Sequence, residues 1–197
     1  MTEEIDLIQL AKSAKDAGYA LAKVTTEQKN HALICIADAL MAHKADLLMA
    51  NQADLDEARA NGTSEALLDR INLQKRLDGI VDDIRTVATL PDPVGRVVEE
   101  RVLPNGLRVS RRKTPIGVIG VIYEARPNVT IDIAVLSLKS GNACILRGGK
   151  EILRSNMAMV AVMKEAIVQS GLPEDAVQLI ASTDRKYVGE MLKLHDY

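Results

Sequence analysis

Three short strand-like runs, each followed by a polar turn and a helical stretch, constrain this chain more than any other feature. Gly117-Val118-Ile119-Gly120-Val121-Ile122 carries no polar side chain, which is the pattern of a strand buried on both faces. Ala143-Cys144-Ile145-Leu146 and Val177-Gln178-Leu179-Ile180 repeat the signal. Pro127 biases Arg126 away from helix, so Tyr123–Asn128 reads as a loop. Thr130 or Asp132 can then cap a helix carrying Ile131, Ala134, Val135 and Leu138, ended by Gly141-Asn142. Arg147-Gly148-Gly149-Lys150 is a second loop. A helix from Glu151 to Ser170 follows, closed by Gly171, and Thr183 or Asp184 caps a last helix that reaches Tyr197. This order of β, α, β, α, β, α implies an α/β fold with a parallel sheet and right-handed crossovers.

The first half has a different character. No proline interrupts residues 5–90, and the apolar spacing is helical. Ile5, Leu7, Ile8, Leu10, Ala11 and Ala14 define a first helix, stopped near Gly18. Thr25 and Gln28 have capping-box spacing, ahead of Leu33, Ile36, Ala37, Leu40, Leu47 and Leu48. Asn61-Gly62 is a stop, because both residues tolerate positive φ. Ser64 can cap a helix with Leu67, Leu68 and Ile71, and another runs from about Leu73 to Leu90 before Pro91-Asp92-Pro93. The period then shortens to two. Val97–Leu103 and Leu107–Arg111 flank Pro104-Asn105-Gly106, and Asn105-Gly106 predicts a type I′ hairpin. This hairpin bears Arg108, Arg111, Arg112 and Lys113. They form either an anion-binding patch or the solvated, charge-protected face of an edge strand.

Composition removes several function classes. With 25 Lys and Arg against 27 Asp and Glu, the net charge is −2, so no overall basic field draws nucleic acid. Four Tyr, no Trp and no Phe leave little with which to stack bases. No run approaches the roughly 20 apolar residues of a membrane span, and the acidic start Met1-Thr2-Glu3-Glu4-Ile5-Asp6 has the wrong sign for a signal peptide. Cys35 and Cys144 form no CxxC pair. That suits a reducing cytoplasm, and both read as buried core thiols. His31, His43 and His195 have no metal-ligand spacing.

Chemistry is expected outside the carboxyl ends of parallel strands, where Tyr123–Asn128 and Arg147–Lys150 lie. Gly148 and Gly149 would let a ligand approach the backbone closely. Arg147 and Lys150 bracket them, and the following helix N-terminus adds partial positive charge. These features suit a phosphate or nucleotide; the alternative is a glycine-rich turn with surface charges. Neither G-x-G-x-x-G nor G-x-x-x-x-G-K-[ST] is present.

The string from Pro115 through Ile122-Tyr123-Glu124-Ala125-Arg126-Pro127-Asn128 to Ser140-Gly141-Asn142-Ala143 and Leu146-Arg147-Gly148-Gly149-Lys150-Glu151 resembles the glutamate-5-semialdehyde dehydrogenase (γ-glutamyl phosphate reductase) branch of the aldehyde dehydrogenase superfamily. The resemblance runs through the whole chain. It implies a Rossmann-like, dinucleotide-binding parallel-sheet domain, truncated before the catalytic domain. Residues 1–92 would be its helical part, 93–114 a β-hairpin oligomerisation ribbon, and 115–197 its incomplete NADP-binding part. The implied reaction is NADPH-dependent reduction of L-glutamyl 5-phosphate to L-glutamate 5-semialdehyde with phosphate release, in proline biosynthesis, through a cysteine thioester. The nucleophilic cysteine of the family lies beyond everything present here, so the chain alone is expected to be inactive.

The resemblance also assigns residues. The corresponding aldehyde dehydrogenase loop commonly reads Lys-Pro-Ser-Glu and holds the adenosine ribose. Arg147 takes the Lys position and Lys150 the Glu position, which favours NADP(H) over NAD. Asn128 is a candidate oxyanion donor. Arg126 is a candidate partner for the acyl phosphate or substrate carboxylate, against a simple bridge to Glu124. A homo-oligomer and a glutamate 5-kinase are the implied protein partners. Two non-enzymatic readings compete: a regulatory nucleotide- or phosphate-binding module, and a scaffold that only oligomerises through the hairpin.

Overall fold

The computed structural model describes residues 4–197; Met1 to Glu3, half of the acidic start, lie outside the described residues. Helices α1 (Leu7–Leu21), α2 (Thr26–Ala42), α3 (Lys44–Ala60), α4 (Glu65–Ile71) and α5 (Leu77–Thr89) lead into an antiparallel ribbon, β1 (Val97–Val102) and β2 (Arg108–Arg112). Then come β3 (Val118–Ile122), α6 (Pro127–Lys139), β4 (Ala143–Arg147), α7 (Leu153–Gln169), β5 (Val177–Leu179) and α8 (Lys186–Met191). Strands β3, β4 and β5 form a parallel sheet in that order. All five residues of β4 are buried. Because neighbouring strand residues face opposite sides, the sheet must be covered on both: α1 packs on one face, α6 and α7 on the other, with α2, α3 and α5 outside them.

Local chemistry explains the element boundaries. Thr25 and Gln28 form the reciprocal capping box. Gly62, Gly141 and Gly171 take positive φ and end their helices. Gly18, by contrast, stops nothing: α1 runs three residues past it. A Cβ there would lie 3.2 Å from the Gly117 carbonyl oxygen, so glycine lets the helix press on the chain entering β3. Ser64 precedes α4 but makes no capping bond, and α5 begins at Leu77, after a turn rather than at Leu73.

The hairpin turn is also not type I′. Gly106 alone has positive φ. Its N–H donates to the Leu103 carbonyl at 2.9 Å, and Leu103 N–H to Leu107 O at 2.9 Å. Pro104 fixes a negative φ inside the turn, and left-handed Gly106 makes the bulge of a longer hairpin loop. Every strand residue of the ribbon is exposed.

Three further expectations are corrected. Strand β3 is not buried on both faces: it is an edge strand, with Ile122 41% exposed. Helix α6 starts at Pro127, not after a Thr130 or Asp132 cap, because proline at the first helical position loses no needed N–H. Arg126 before it is extended, as the preproline restriction requires. Helix α8 ends at Met191, short of Tyr197, and starts after Arg185, with Asp184 Oδ1 accepting from Lys186 N–H at 2.8 Å. No helix among the described residues is long and apolar enough to cross a membrane.

A buried ionic cluster anchors the passage from α5 to the ribbon. Lys29, 2% exposed, pairs with Asp92. Asp92 also accepts from Thr26 Oγ1 at 2.8 Å and Val94 N–H at 2.9 Å. Burial opposes its charge, but these donors together hold it below the ordinary carboxylate range. Buried Lys139 is bonded to Asn30 Oδ1 and the Ala88 carbonyl, and desolvation lowers its pKa.

Candidate functional site

Parallel pairing brings the turns after the three strands to one end of the sheet. Ile122 is opposite Arg147 in the β3–β4 register. The ladder continues as Tyr123 N–H donates to Arg147 O at 3.1 Å, and Ile180 N–H to Leu146 O at 2.9 Å. A cleft of about 490 Å³ opens here, between the end of α3 (Asp54, Glu57, Ala58) and the segments holding Lys150, Glu151 and Thr183. Beneath it, a small apolar cluster of Leu55, Ala58, Leu68, Ile71, Ala125 and Ile152 joins α3 and α4 to the turns after β3 and β4.

Arg147 closes β4 and is only 9% exposed. Its Nη1 donates to Gly148 O at 3.0 Å and its Nη2 to Thr183 O at 3.2 Å. Its Nε is buried without a partner. No carboxylate pairs with it among the described residues. Arginine does not deprotonate in proteins, so a full positive charge sits at the sheet's end, balanced only by carbonyl dipoles. Burying a charge this way is costly, and an anionic ligand would offset that cost. Lys150 stands exposed on the cleft wall. Glu57 across the cleft is engaged by Arg154 of α7.

The two glycines serve a purpose the sequence did not suggest. A Cβ at Gly148 would lie 2.3 Å from Asn156 Nδ2 and 3.1 Å from the Tyr123 ring. One at Gly149 would lie 2.9 Å from Ala125 N and from Glu151 Oε2. The side-chain side of both residues is filled by the protein itself. The expected helix N-terminal charge is also altered. A 3-10 turn, Lys150–Ile152, separates the glycines from α7. The first free N–H groups of α7, on Arg154 and Ser155, donate to Asp54 at 3.3 and 2.8 Å. The positive end of α7 is therefore capped by a carboxylate from α3.

Sequence reasoning missed Asp54 and its neighbour Asn51, which bonds Ile71 O, Leu73 N and Ser155 Oγ. Both are nearly fully buried. Their spacing of three, on the face that also carries Leu47, Leu55 and Ala58, was the available signal.

The residues of the first turn stand apart from the cleft. Asn128 is in the first turn of α6, not in a loop, and its Nδ2 donates to Asp132 at 3.1 Å. Burial raises the Asp132 pKa. Arg126 is exposed and makes no bridge to Glu124; only its backbone N–H reaches Glu124 O, at 2.8 Å. Neither Arg126 nor Asn128 lines the cleft. The thiols also lie off it. Cys144 is fully buried in β4, and burial pushes it up to about 12. Cys35 is half-buried rather than buried, its sulfur 3.7 Å from His31 Nε2 on α2. No group of three His, Cys, Asp or Glu with metal-binding proximity occurs among the described residues. Of the residues expected at the site, Lys150 alone lines the cleft; Arg147, Gly148 and Gly149 lie behind its wall. The fit to an anionic ligand such as a dinucleotide thus rests on one exposed ammonium at the cleft and on the buried Arg147 charge, with its unpartnered Nε, close behind it.

Comparison with known proteins agrees with this architecture. Gamma-glutamyl phosphate reductase from Psychromonas ingrahamii is 56% identical over 194 residues, spanning 98% of this chain and 47% of that protein. The solved structure of gamma-glutamyl phosphate reductase from Thermotoga maritima matches with a TM-score of 0.96 at 43% identity, covering 98% of this chain and 47% of that one. The Saccharomyces cerevisiae gamma-glutamyl phosphate reductase matches with a TM-score of 0.90 at 37% identity, covering 99% and 50%. The chain spans about half the length of the curated relatives it matches. With residues 2–196 matching the model of the aldehyde dehydrogenase family, the chain belongs to that family.

Proposed function

We propose that this chain is the cofactor-binding portion of an NADPH-dependent reductase that converts L-glutamyl 5-phosphate to L-glutamate 5-semialdehyde and phosphate, a step toward proline. The observation that carries the reading is the pair of cations at the carboxyl end of β4: exposed Lys150 on the cleft wall and, three residues before it and behind that wall, the buried Arg147 guanidinium, with no carboxylate partner among the described residues and an unpartnered Nε. The similarity to gamma-glutamyl phosphate reductases supports the substrate.

In this reading Arg147 and Lys150 hold the adenosine-ribose side of the dinucleotide, and Lys150 meets the 2′-phosphate. When bound, the nicotinamide supplies the hydride. Arg126, exposed on the turn after β3, is the group for the acyl phosphate or substrate carboxylate. Asn128 gives one amide hydrogen to Asp132, and its second is the proposed donor to a developing oxyanion. A thioester needs a thiolate at the cleft, and neither Cys35 nor Cys144 is there, so the chain alone binds NADPH and turns over nothing. The exposed ribbon is the proposed contact between subunits, and a glutamate 5-kinase the proposed source of the labile acyl phosphate.

The test is Lys150→Glu in this chain, read by NADPH and NADH fluorescence titration. At 4 Å a unit charge pair is worth about 1 kcal/mol in water and about 4 at an effective dielectric of 20. Lys150 is exposed, so the lower figure applies, and reversing its sign should cut the NADPH preference at least ~5-fold. An unchanged preference overturns the Lys150 assignment. Steady NADPH oxidation with L-glutamyl 5-phosphate by the isolated chain overturns the division of labour.

A further inference from the structure

We propose that Asn156 is a positioning residue that ties the turn after β4 to the turn after β3, acting through Thr130 and Tyr123, so that the two turns at the sheet's carboxyl end open only together. Thr130 is fully buried and Asn156 is 1% exposed. Thr130 Oγ1 donates to Asn156 Oδ1 at 2.6 Å. A hydroxyl has one hydrogen, so at its 2.7 Å contact with Tyr123 Oη Thr130 is the acceptor and Tyr123 the donor. The relay runs one way, from the end of β3 through α6 to α7.

Its far end reaches the cofactor turn directly. The amide nitrogen of Asn156 fills the place where a side chain of residue 148 would begin, and the Tyr123 ring closes the same space. Tyr123 N–H also holds the Arg147 carbonyl, and Gly149 abuts the Ala125 backbone. Burial pushes the Tyr123 hydroxyl up to about 12, so it keeps its proton, and the relay its direction, across the neutral range. A shift of either turn therefore disturbs the Tyr123–Arg147 backbone bond and the packing of Asn156 and Tyr123 against Gly148 and of Ala125 against Gly149.

The experiment compares Thr130→Val with Thr130→Ser in this chain, using amide hydrogen exchange over residues 124–126 and 148–150 and NADPH titration. The valine variant orphans both the Tyr123 hydroxyl and the Asn156 oxygen. Protection should fall on the order of tenfold in both turns, the scale of one buried hydrogen bond, with NADPH affinity falling alongside. Thr130→Ser should restore both. Loss confined to one turn, or no rescue by serine, overturns the coupling. The affinity arm rests on the cofactor reading above: if the wild-type chain does not bind NADPH, that reading fails, while exchange still decides the coupling. Should Thr130→Val not fold, Tyr123→Phe removes the first hydroxyl alone and must give the same paired loss in smaller measure.

Discussion

Replacing Asp54 with alanine should destabilise this protein far more than any surface carboxylate does. Asp54 is 3% exposed. Its Oδ2 accepts from Ser155 N–H at 2.8 Å and Ser155 Oγ at 2.7 Å, and its Oδ1 from Arg154 N–H at 3.3 Å. Losing the cap of α7 costs about 1 kcal/mol. The Ser155 hydroxyl, fully buried and already accepting from Asn51 at 3.0 Å, loses its only acceptor, at about 2 kcal/mol more. The expected total is about 3 kcal/mol, a fall in Tm of roughly 6–12 °C at this chain length. Asp54→Asn keeps one acceptor oxygen and should cost about 1 kcal/mol. Glu57→Gln is the control: it shares Arg154 as partner, but at 57% side-chain exposure its ion pair should contribute under ~1 kcal/mol. Thermal and urea unfolding followed by circular dichroism read all three. An Asp54→Ala variant within ~1 kcal/mol of wild type, or no more costly than Glu57→Gln, refutes the reasoning.

Two other outcomes follow from burial and charge. Iodoacetamide under native conditions should alkylate half-buried Cys35 and spare Cys144, whose thiol is buried and held near 12; peptide mass mapping that finds both labelled at one rate contradicts the placement of β4. The depressed pKa of Asp92 contributes stability that is fully present above the unfolded carboxylate value of 3.8 and lost as the pH falls through the lower folded value. Asp92→Asn should therefore flatten the acid limb of the stability curve below about pH 4, and an unaltered limb would show that the Lys29 pair does not set it.

Local signals were legible in the sequence where one residue decides the backbone. The Thr25–Gln28 capping box and the stops at Gly62, Gly141 and Gly171 are of this kind. So is buried β4 with its flanking helices. The misreadings arose where two elements decide together. Gly18 resembles a stop until α1 is laid against Gly117. Asn105-Gly106 signals one turn until Pro104 shifts the register by a residue. The apolar run of β3 implies covering on both sides, yet at the sheet's edge it stays half open. At the candidate site, exposed Lys150 on the cleft wall and buried Arg147 behind it stand out in the sequence as cations that flank glycines after a strand. Asn51 and Asp54 left only the trace of two polar residues three apart on an apolar helix face, and Thr130 and Asn156 left none: a polar residue inside a helix declares a role only once its partner from another element is known.

The ribbon closes on itself. Gly95 N–H meets Lys113 O at 2.9 Å and Lys113 N–H meets Arg96 O at 3.0 Å, so the chain leaves the body and re-enters it at nearly one point. Nothing between those residues belongs to the interior. The loop is thus an appendage on a narrow stalk, free to be lengthened, trimmed or recharged while the crevice beyond β3 and β4 keeps its shape.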